Sequence, residues 1–109
     1  MERINKIVIL KEIKEQMKKI LGENIQDVIL FGSYVNGNAH KYSDYDILVV
    51  LKNDYDWKLE KEISEICYSI DLKYDIFTHT HLISQNQIKN SIKGKDPLFI
   101  NALKNGYYV

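Results

Sequence analysis

The first apolar residues of the chain recur every three or four positions, which is the spacing of a helix that packs one face on a core. This series covers residues 4–21, and Gly22 is expected to end the helix. Residues 28–31 form a short, continuous apolar run, as in a strand that is buried on both faces. A polar stretch over residues 32–43 follows, and residues 46–51 predict a second strand.

The second half of the chain predicts a helix over residues 54–68 and then a third strand. In that strand Leu72, Tyr74 and Ile76 alternate with polar residues, which is strand periodicity. The remaining predicted elements are a weak helix over residues 85–92, a last helix from Pro97 to Leu103, a helix cap at Gly106 and an edge strand over residues 107–109. This order favours an α/β (α+β) domain built on a small mixed β-sheet flanked by helices.

The length of the chain, 109 residues, predicts a single domain over residues 1–109, and the 45% of apolar residues can supply one core. The 15 basic and 15 acidic residues cancel, so general binding to nucleic acid is not expected. The only cysteine, Cys67, lies among isoleucines, and we interpret it as a core residue of a protein from a reducing compartment. No apolar run approaches the ~20 residues that span a bilayer. We therefore expect a cytoplasmic protein.

Two aspartates stand at the start of the second predicted strand. Asp44 and Asp46 are two positions apart, and side chains at that spacing leave the same face of a strand. Their carboxylates repel each other unless a cation lies between them, and such oxygen ligands suit Mg²⁺ or Mn²⁺. Asp75 faces away from the core on the third predicted strand. If the two strands are neighbours, three carboxylates can hold two metal ions ~3.5–4 Å apart, the arrangement used in phosphoryl transfer.

A glycine and a serine directly follow the first predicted strand. Gly32 would let backbone N–H groups approach a phosphate closely, and Ser33 would add a hydroxyl donor. A phosphate-binding loop and a carboxylate cluster would then lie on successive strands. Together they supply the positioning and charge neutralisation that phosphoryl transfer requires.

Each of these features alone also has a purely structural interpretation. A second Asp-Tyr-Asp, at residues 54–56, is interpreted as a helix N-cap region, and an isolated Asp75 is more often a solvated carboxylate. His79 and His81 could share a strand face and bind zinc, but no clear tetrahedral ligand set accompanies them, so a polar loop is favoured. The functional interpretation therefore depends on the joint pattern.

The joint pattern resembles the signature of the DNA polymerase β-type nucleotidyltransferase superfamily. The matching residues are Gly32-Ser33, Asp44-Tyr45-Asp46 after ten intervening residues, and Gly37 and Ser43 of the extended signature. The short chain is similar to the minimal nucleotidyltransferase branch, and the resemblance covers essentially the whole sequence. It implies the nucleotidyltransferase fold.

The resemblance also implies two sets of site residues. The residues that would bind the phosphates of an NTP, most simply ATP, are Gly32, Ser33 and Lys41. The residues that would bind two metal ions, Mg²⁺ or Mn²⁺, and act in catalysis are Asp44, Asp46 and Asp75. The arginine that usually follows the glycine in this family is absent, so neutralisation of the phosphates would fall to Lys41, to His40 or to a partner.

Members of this branch often pair with a small helical HEPN protein as antitoxins, and some adenylylate a tyrosine of that partner. The resemblance therefore implies metal-dependent transfer of an NMP, most simply AMP, from an NTP to an acceptor hydroxyl such as a tyrosine of a HEPN toxin. One alternative is a nucleotidyltransferase-fold module that neutralises a helical partner by contact alone, which the missing arginine favours. Another is nucleotidylation of a small molecule, for which so short a chain offers little substrate pocket.

Overall fold

The computed structural model describes residues 6–32 and 44–109, and four α-helices and four β-strands lie within these ranges. The helices are α1 (Lys6–Leu21), α2 (Trp57–Tyr74), α3 (Gln85–Asn90) and α4 (Pro97–Asn105). The strands are β1 (Ile25–Phe31), β2 (Tyr45–Leu51), β3 (Thr78–Ser84) and β4 (Tyr107–Tyr108). Two 3₁₀ turns, Gly22–Asn24 and Ile92–Lys95, complete the described elements.

The four strands form one mixed sheet in the order β3-β2-β1-β4. β1 is antiparallel to both of its neighbours, and β2 is parallel to β3. Parallel neighbours need a crossover connection, which α2 supplies between β2 and β3. The predicted mixed sheet with flanking helices is confirmed.

Both faces of the sheet are packed, and strand alternation decides which side chain faces which layer. Val28, Leu30, Ile47 and Val49 point toward α1 and α2 and form the larger core with Ile13 and Ile70 among others. The alternate residues Ile29, Phe31, Leu48 and Val50 form a smaller core with Phe99 and Ala102 of α4. Asp46 has the parity of Leu48 and Val50, so its side chain lies on the α4 face of the sheet.

Helix α2 begins at the residues predicted to cap it. The Asp56 side chain accepts a hydrogen bond from the Leu59 N–H, so the second Asp-Tyr-Asp is structural, as expected. Cys67 lies in the buried stripe of this helix, and burial raises the pKa of its thiol. The prediction that Cys67 belongs to the core is confirmed.

The prediction of a strand over residues 72–77 is wrong, because α2 continues through Tyr74. Asp75 ends the helix in the left-handed conformation, with φ of 54° and ψ of 51°, and its N–H donates to the Asp71 carbonyl. Leu72, which strand alternation placed toward the core, is 68% exposed on this helix. The third strand begins only at Thr78.

The outer edge of β3 is covered in part by side chains. The Thr78 N–H donates to Asp71 Oδ1 over 3.0 Å, and the Leu82 carbonyl accepts from the Tyr55 hydroxyl over 3.1 Å. At the far end of the strand, buried Ser84 caps α3 in a reciprocal arrangement with Gln87. Two backbone groups of this edge strand therefore have partners outside the sheet.

The last elements follow the prediction closely. Pro97 occupies the first turn of α4, and Gly106 ends that helix with its N–H donating to the Ala102 carbonyl. β4 then pairs with β1 at the edge of the sheet opposite β3. None of the helices in the described ranges is both long and apolar enough to span a bilayer.

Candidate active site

Asp46 lies at the start of β2, between two other strands. It is paired with Phe31 across the antiparallel neighbour β1 and with His79 across the parallel neighbour β3. Its side chain is 28% exposed. Asp44 directly precedes the strand and is exposed, and its charge helps to raise the pKa of Asp46. The two aspartates of the motif are therefore within electrostatic reach of each other.

The backbone at Gly32 packs directly on the Asp46 carboxylate. Gly32 follows β1 with a positive φ of 76°, a conformation that side chains disfavour. A Cβ added at this position would collide with Asp46 Oδ2 and lie 3.1 Å from Asp46 Cγ. Only glycine therefore allows the chain to leave β1 along this path and keep contact with the carboxylate.

Two residues predicted to bind phosphate fall outside the described ranges. Ser33 and Lys41 belong to the segment over residues 33–43, together with Gly37, His40 and Ser43. The predicted contacts of Ser33 and Lys41 with an NTP stay predictions. Gly32, the remaining member of the phosphate-binding set, is placed beside Asp46 as described above.

His79 and His81 lie on β3, so the preference for a polar loop is wrong. His79 Nδ1 is 3.7 Å from Asp46 Oδ1, and the centroids of the two imidazole rings are 4.7 Å apart. The His81 ring also packs against Phe31 and Phe99 at 5.8 and 5.9 Å. The β-branched Thr78 and Thr80, in alternation with the histidines before Leu82, were the available strand signal.

The electrostatics of this face favour an added positive charge at Asp46. Burial is the largest influence on the pKa of Asp46 and raises it, and the negative charge of Asp44 acts in the same direction. His79 and His81 lower this pKa but do not outweigh burial. Burial also lowers the pKa of His81, as do His79 and Lys93, while Asp46 and Asp96 act in the opposite direction. Because burial opposes its ionisation, the Asp46 carboxylate gains from any cation that it can bind.

Asp75 does not lie on the strand next to β2. It caps the end of α2, three residues before β3 begins, and the register places His79 opposite Asp46. Within the described ranges, no three His, Cys, Asp or Glu side chains are arranged to hold a metal ion. The prediction that Asp75 joins Asp44 and Asp46 from a third strand is therefore not supported by its position.

Asp44 and Asp46 nevertheless fit a divalent cation. They offer carboxylate oxygens, which are the usual ligands of Mg²⁺ and Mn²⁺, and they precede a strand that holds the second of them in place. The Asp46–His79 separation is too long for a hydrogen bond, so this pair does not satisfy the carboxylate. A bound cation would supply that charge.

A cavity of about 250 Å³ opens near this face but is not the carboxylate site. His81, Lys93 and Phe99 contribute to its lining, whereas Asp44 and Asp46 do not. Asp44 and Asp46 offer carboxylates for a cation, and the Gly32 backbone lies against the second of them. We therefore place the candidate active site at these three residues rather than in the cavity.

Comparisons with known proteins show the family to which the chain belongs. The chain matches the family model described as "Nucleotidyltransferase domain" over residues 10–98. A Methanocaldococcus jannaschii protein named "Putative protein adenylyltransferase" is 37% identical over 99 residues, which are 91% of this chain and 92% of the relative. A second protein of that organism with the same descriptive name is 32% identical over 103 residues, covering 93% of this chain and 68% of the relative.

Solved structures share the fold at lower identity. A toxin–antitoxin structure with AMP-PNP has a TM-score of 0.54 at 18% identity, with 88% of this chain and 68% of that chain covered. Spectinomycin adenyltransferase from Enterococcus faecialis, solved with ATP and spectinomycin, has a TM-score of 0.61 at 23% identity, with 80% of this chain and 37% of that chain covered.

Proposed function

Since the chain belongs to the nucleotidyltransferase domain family and is a nucleotidyltransferase, we propose that it transfers AMP from ATP to a hydroxyl group of a partner protein. The contact of the Gly32 backbone with the Asp46 carboxylate carries this proposal. It brings the start of the phosphate-binding loop and a metal-binding carboxylate to one point. The relatives named as protein adenylyltransferases support both the AMP group and the protein acceptor.

The residues at this point have separate tasks in the transfer. Asp44 and Asp46 would hold a divalent cation, and the phosphates would be held by backbone N–H groups from Gly32 onward with the side chains of Ser33 and Lys41. When bound there, the cation would supply neutralisation of charge on the phosphate oxygens. The acceptor hydroxyl oxygen bonds to the α-phosphorus, the bond from that phosphorus to the bridging oxygen breaks, and pyrophosphate leaves. The hydroxyl proton passes to a base or to water. Asp75 has no task in this scheme, because it lies at the end of α2.

The acceptor that fits best is a tyrosine of a small helical toxin of the HEPN type. The toxin–antitoxin structures that share this fold support a toxin as the partner. In this scheme the chain acts as an antitoxin, and modification of the tyrosine inactivates the toxin. The bound partner supplies the surface that positions the tyrosine at Asp44 and Asp46.

One observation favours the alternative of a binding module without catalysis. β3, the neighbour of β2, contains no acidic residue, so Asp46 has no carboxylate partner from that strand. A module of this kind would neutralise the partner by contact alone. The two functions differ in one measurable property, which is whether label from ATP reaches the partner.

The decisive experiment compares two double variants that remove the same charge from the same motif. Asp44→Asn/Asp46→Asn alters the candidate site, and Asp54→Asn/Asp56→Asn alters the structural Asp-Tyr-Asp at the start of α2. Each protein is incubated with α-labelled ATP, a divalent cation and the protein encoded beside it. We expect the wild type and the second variant to label the partner and the first to lose labelling by about a hundredfold or more.

Co-purification of the partner with each variant separates the two functions. Loss of label with the partner still bound supports adenylyl transfer. If the wild type leaves the partner unlabelled, and Asp44→Asn/Asp46→Asn still neutralises it, the enzyme proposal fails and the binding module is correct.

A further inference from the structure

β3 lies beside the candidate metal-binding end of β2 in parallel register. His79 is paired with Asp46, and paired residues of neighbouring strands place their side chains on the same face. On the other side of Asp46 the paired residue is Phe31 of β1. The Asp46 carboxylate is therefore flanked by an apolar ring on one side and by an imidazole on the other.

The imidazole of His79 is within reach of an ion bound to Asp46. Its Nδ1 is 3.7 Å from Asp46 Oδ1. Two atoms that each bind one ion at ~2.1 Å can be at most ~4.2 Å apart, so an ion fits between this nitrogen and this oxygen. In the structure the side chains of Asp44, Asp46 and His79 do not converge on one point. The His79 side chain is 65% exposed and Asp44 is exposed, however, so both can turn toward an ion without repacking the core.

The rest of β3 leaves this position to His79. The sequence of the strand is THTHLIS. His79 and His81 are the residues of this strand whose side chains could offer a nitrogen to a metal ion, and the strand contains no carboxylate. His81 is paired with Leu48, not with an aspartate, and its ring packs between Phe31 and Phe99. The ring of His81 also lies against that of His79, which restricts the directions in which His79 can turn.

We propose that His79 is the third protein ligand of the cation held by Asp44 and Asp46, and that its imidazole makes the site prefer a transition-metal ion such as Mn²⁺ over Mg²⁺. The assignment of Asp44 and Asp46 rests on the proposed function. Mg²⁺ keeps to oxygen ligands, whereas first-row transition ions also accept imidazole nitrogen. Mn²⁺ combines this tolerance with affinity for carboxylate and phosphate oxygens, so it suits a site with two aspartates and one histidine.

The test is a binding and spectroscopic comparison of the wild type with three variants, His79→Gln, His79→Asp and His81→Gln. Mn²⁺ and Mg²⁺ affinities are measured by calorimetric titration with a non-hydrolysable ATP analogue present. Electron spin echo modulation of the bound Mn²⁺ then reports a directly coordinated imidazole through its nitrogen coupling. Neither measurement depends on turnover.

We expect nitrogen coupling in the wild type and in His81→Gln, and none in the two His79 variants. His79→Gln should bind Mn²⁺ about tenfold or more weakly, because even loss of a group that supports a metal ligand costs ~10–100-fold in affinity. His79→Asp should bind Mn²⁺ about as tightly as the wild type and should bind Mg²⁺ more tightly. The preference for Mn²⁺, expressed as the ratio of the two dissociation constants, should therefore fall by about tenfold.

The inference is overturned if the wild type shows no nitrogen coupling, or if His79→Gln binds Mn²⁺ as tightly as the wild type. It is also overturned if the coupling follows His81 rather than His79. Failure of the proposed function looks different: the partner then stays unlabelled while the nitrogen coupling to His79 persists. Labelling of the partner without any nitrogen coupling would instead reject His79 and leave adenylyl transfer standing.

Discussion

At the scale of single residues, Gly32 and Gly22 make an informative pair. Both have positive φ, 76° at Gly32 and 57° at Gly22, but their surroundings differ. A side chain at Gly32 would collide with the Asp46 carboxylate, whereas an added Cβ at Gly22 meets nothing within 4 Å. The pair separates the cost of a left-handed backbone from the cost of crowding the candidate active site.

Gly32→Ala and Gly22→Ala should therefore have similar effects on stability and different effects on activity. We expect each to lower the free energy of unfolding by about 1–2 kcal/mol, the cost of a left-handed non-glycine residue. Only Gly32→Ala should also displace Asp46, and a displacement of ~1 Å at a reacting centre can cost ~100-fold in rate. Urea unfolding and transfer of label from ATP measure the two effects. Equal labelling by the two variants would show that Gly32 does not position the site.

The residues of the site differ in how far the sequence could predict them. Asp46 was predictable because the continuous apolar run after it marks a buried strand locally, and its spacing from Asp44 sets their parity. The contact with His79 was not, because it depends on which strand lies beside β2 and in which register. Asp75 was predicted on a strand beside β2, but it caps the C-terminal end of α2 instead.

At the scale of elements, α2 and β3 show where a periodic pattern misleads. Leu72, Tyr74 and Ile76 alternate with polar residues, but the first two belong to the helix whose buried stripe contains Ile63, Cys67 and Ile70 and which ends at Tyr74. β3 was missed because an edge strand needs few apolar residues in its first half, and THTH supplies none. The helices α1 and α4 were predictable from long periodic runs and from Pro97 and Gly106.

Ser84 joins β3 to α3, and its hydroxyl has two partners. It accepts from the Gln87 N–H and donates to Asp54 Oδ1 over 2.7 Å, in a fully buried position. Ser84→Ala should destabilise the protein by about 2 kcal/mol, because it removes the cap and leaves the partly buried Gln87 N–H and the Asp54 carboxylate without this partner. Asp56→Ala, at the exposed cap of α2, should cost only ~1 kcal/mol. Urea unfolding measures both values, and the reverse order would contradict this reasoning.

At the scale of the whole molecule, the described helices pack on the two faces of the sheet and do not cover Asp44 at the start of β2. α1 and α2 pack on one face and α4 on the other, while Asp44 at the start of β2 is exposed. The formal charge of the chain is zero, so the molecule as a whole does not attract phosphates. Nucleotide affinity should therefore come from a local cation rather than from general electrostatics.

Under the proposed function we expect ATP and the metal ion to stabilise the fold only in combination. With Mn²⁺ present and ATP ~100-fold above its Kd, stability should rise by about 2.7 kcal/mol. For a domain of this size, that corresponds to an increase in Tm of roughly 10 °C. A chelator should abolish the increase, and Asp44→Asn/Asp46→Asn should show none. An equal rise in Tm with ATP in the chelator would contradict a metal-bridged nucleotide.

The side chains along the outer edge of β3 also bear on self-assembly. An uncovered edge strand can recruit a strand from another molecule, which is a route to amyloid-like stacking. Here the Thr78 N–H is bonded to Asp71 and the Leu82 carbonyl to Tyr55, so two anchoring points for an incoming strand are already occupied. We therefore expect the side chains that complete the hydrogen bonding of this strand also to oppose edge-to-edge association between molecules.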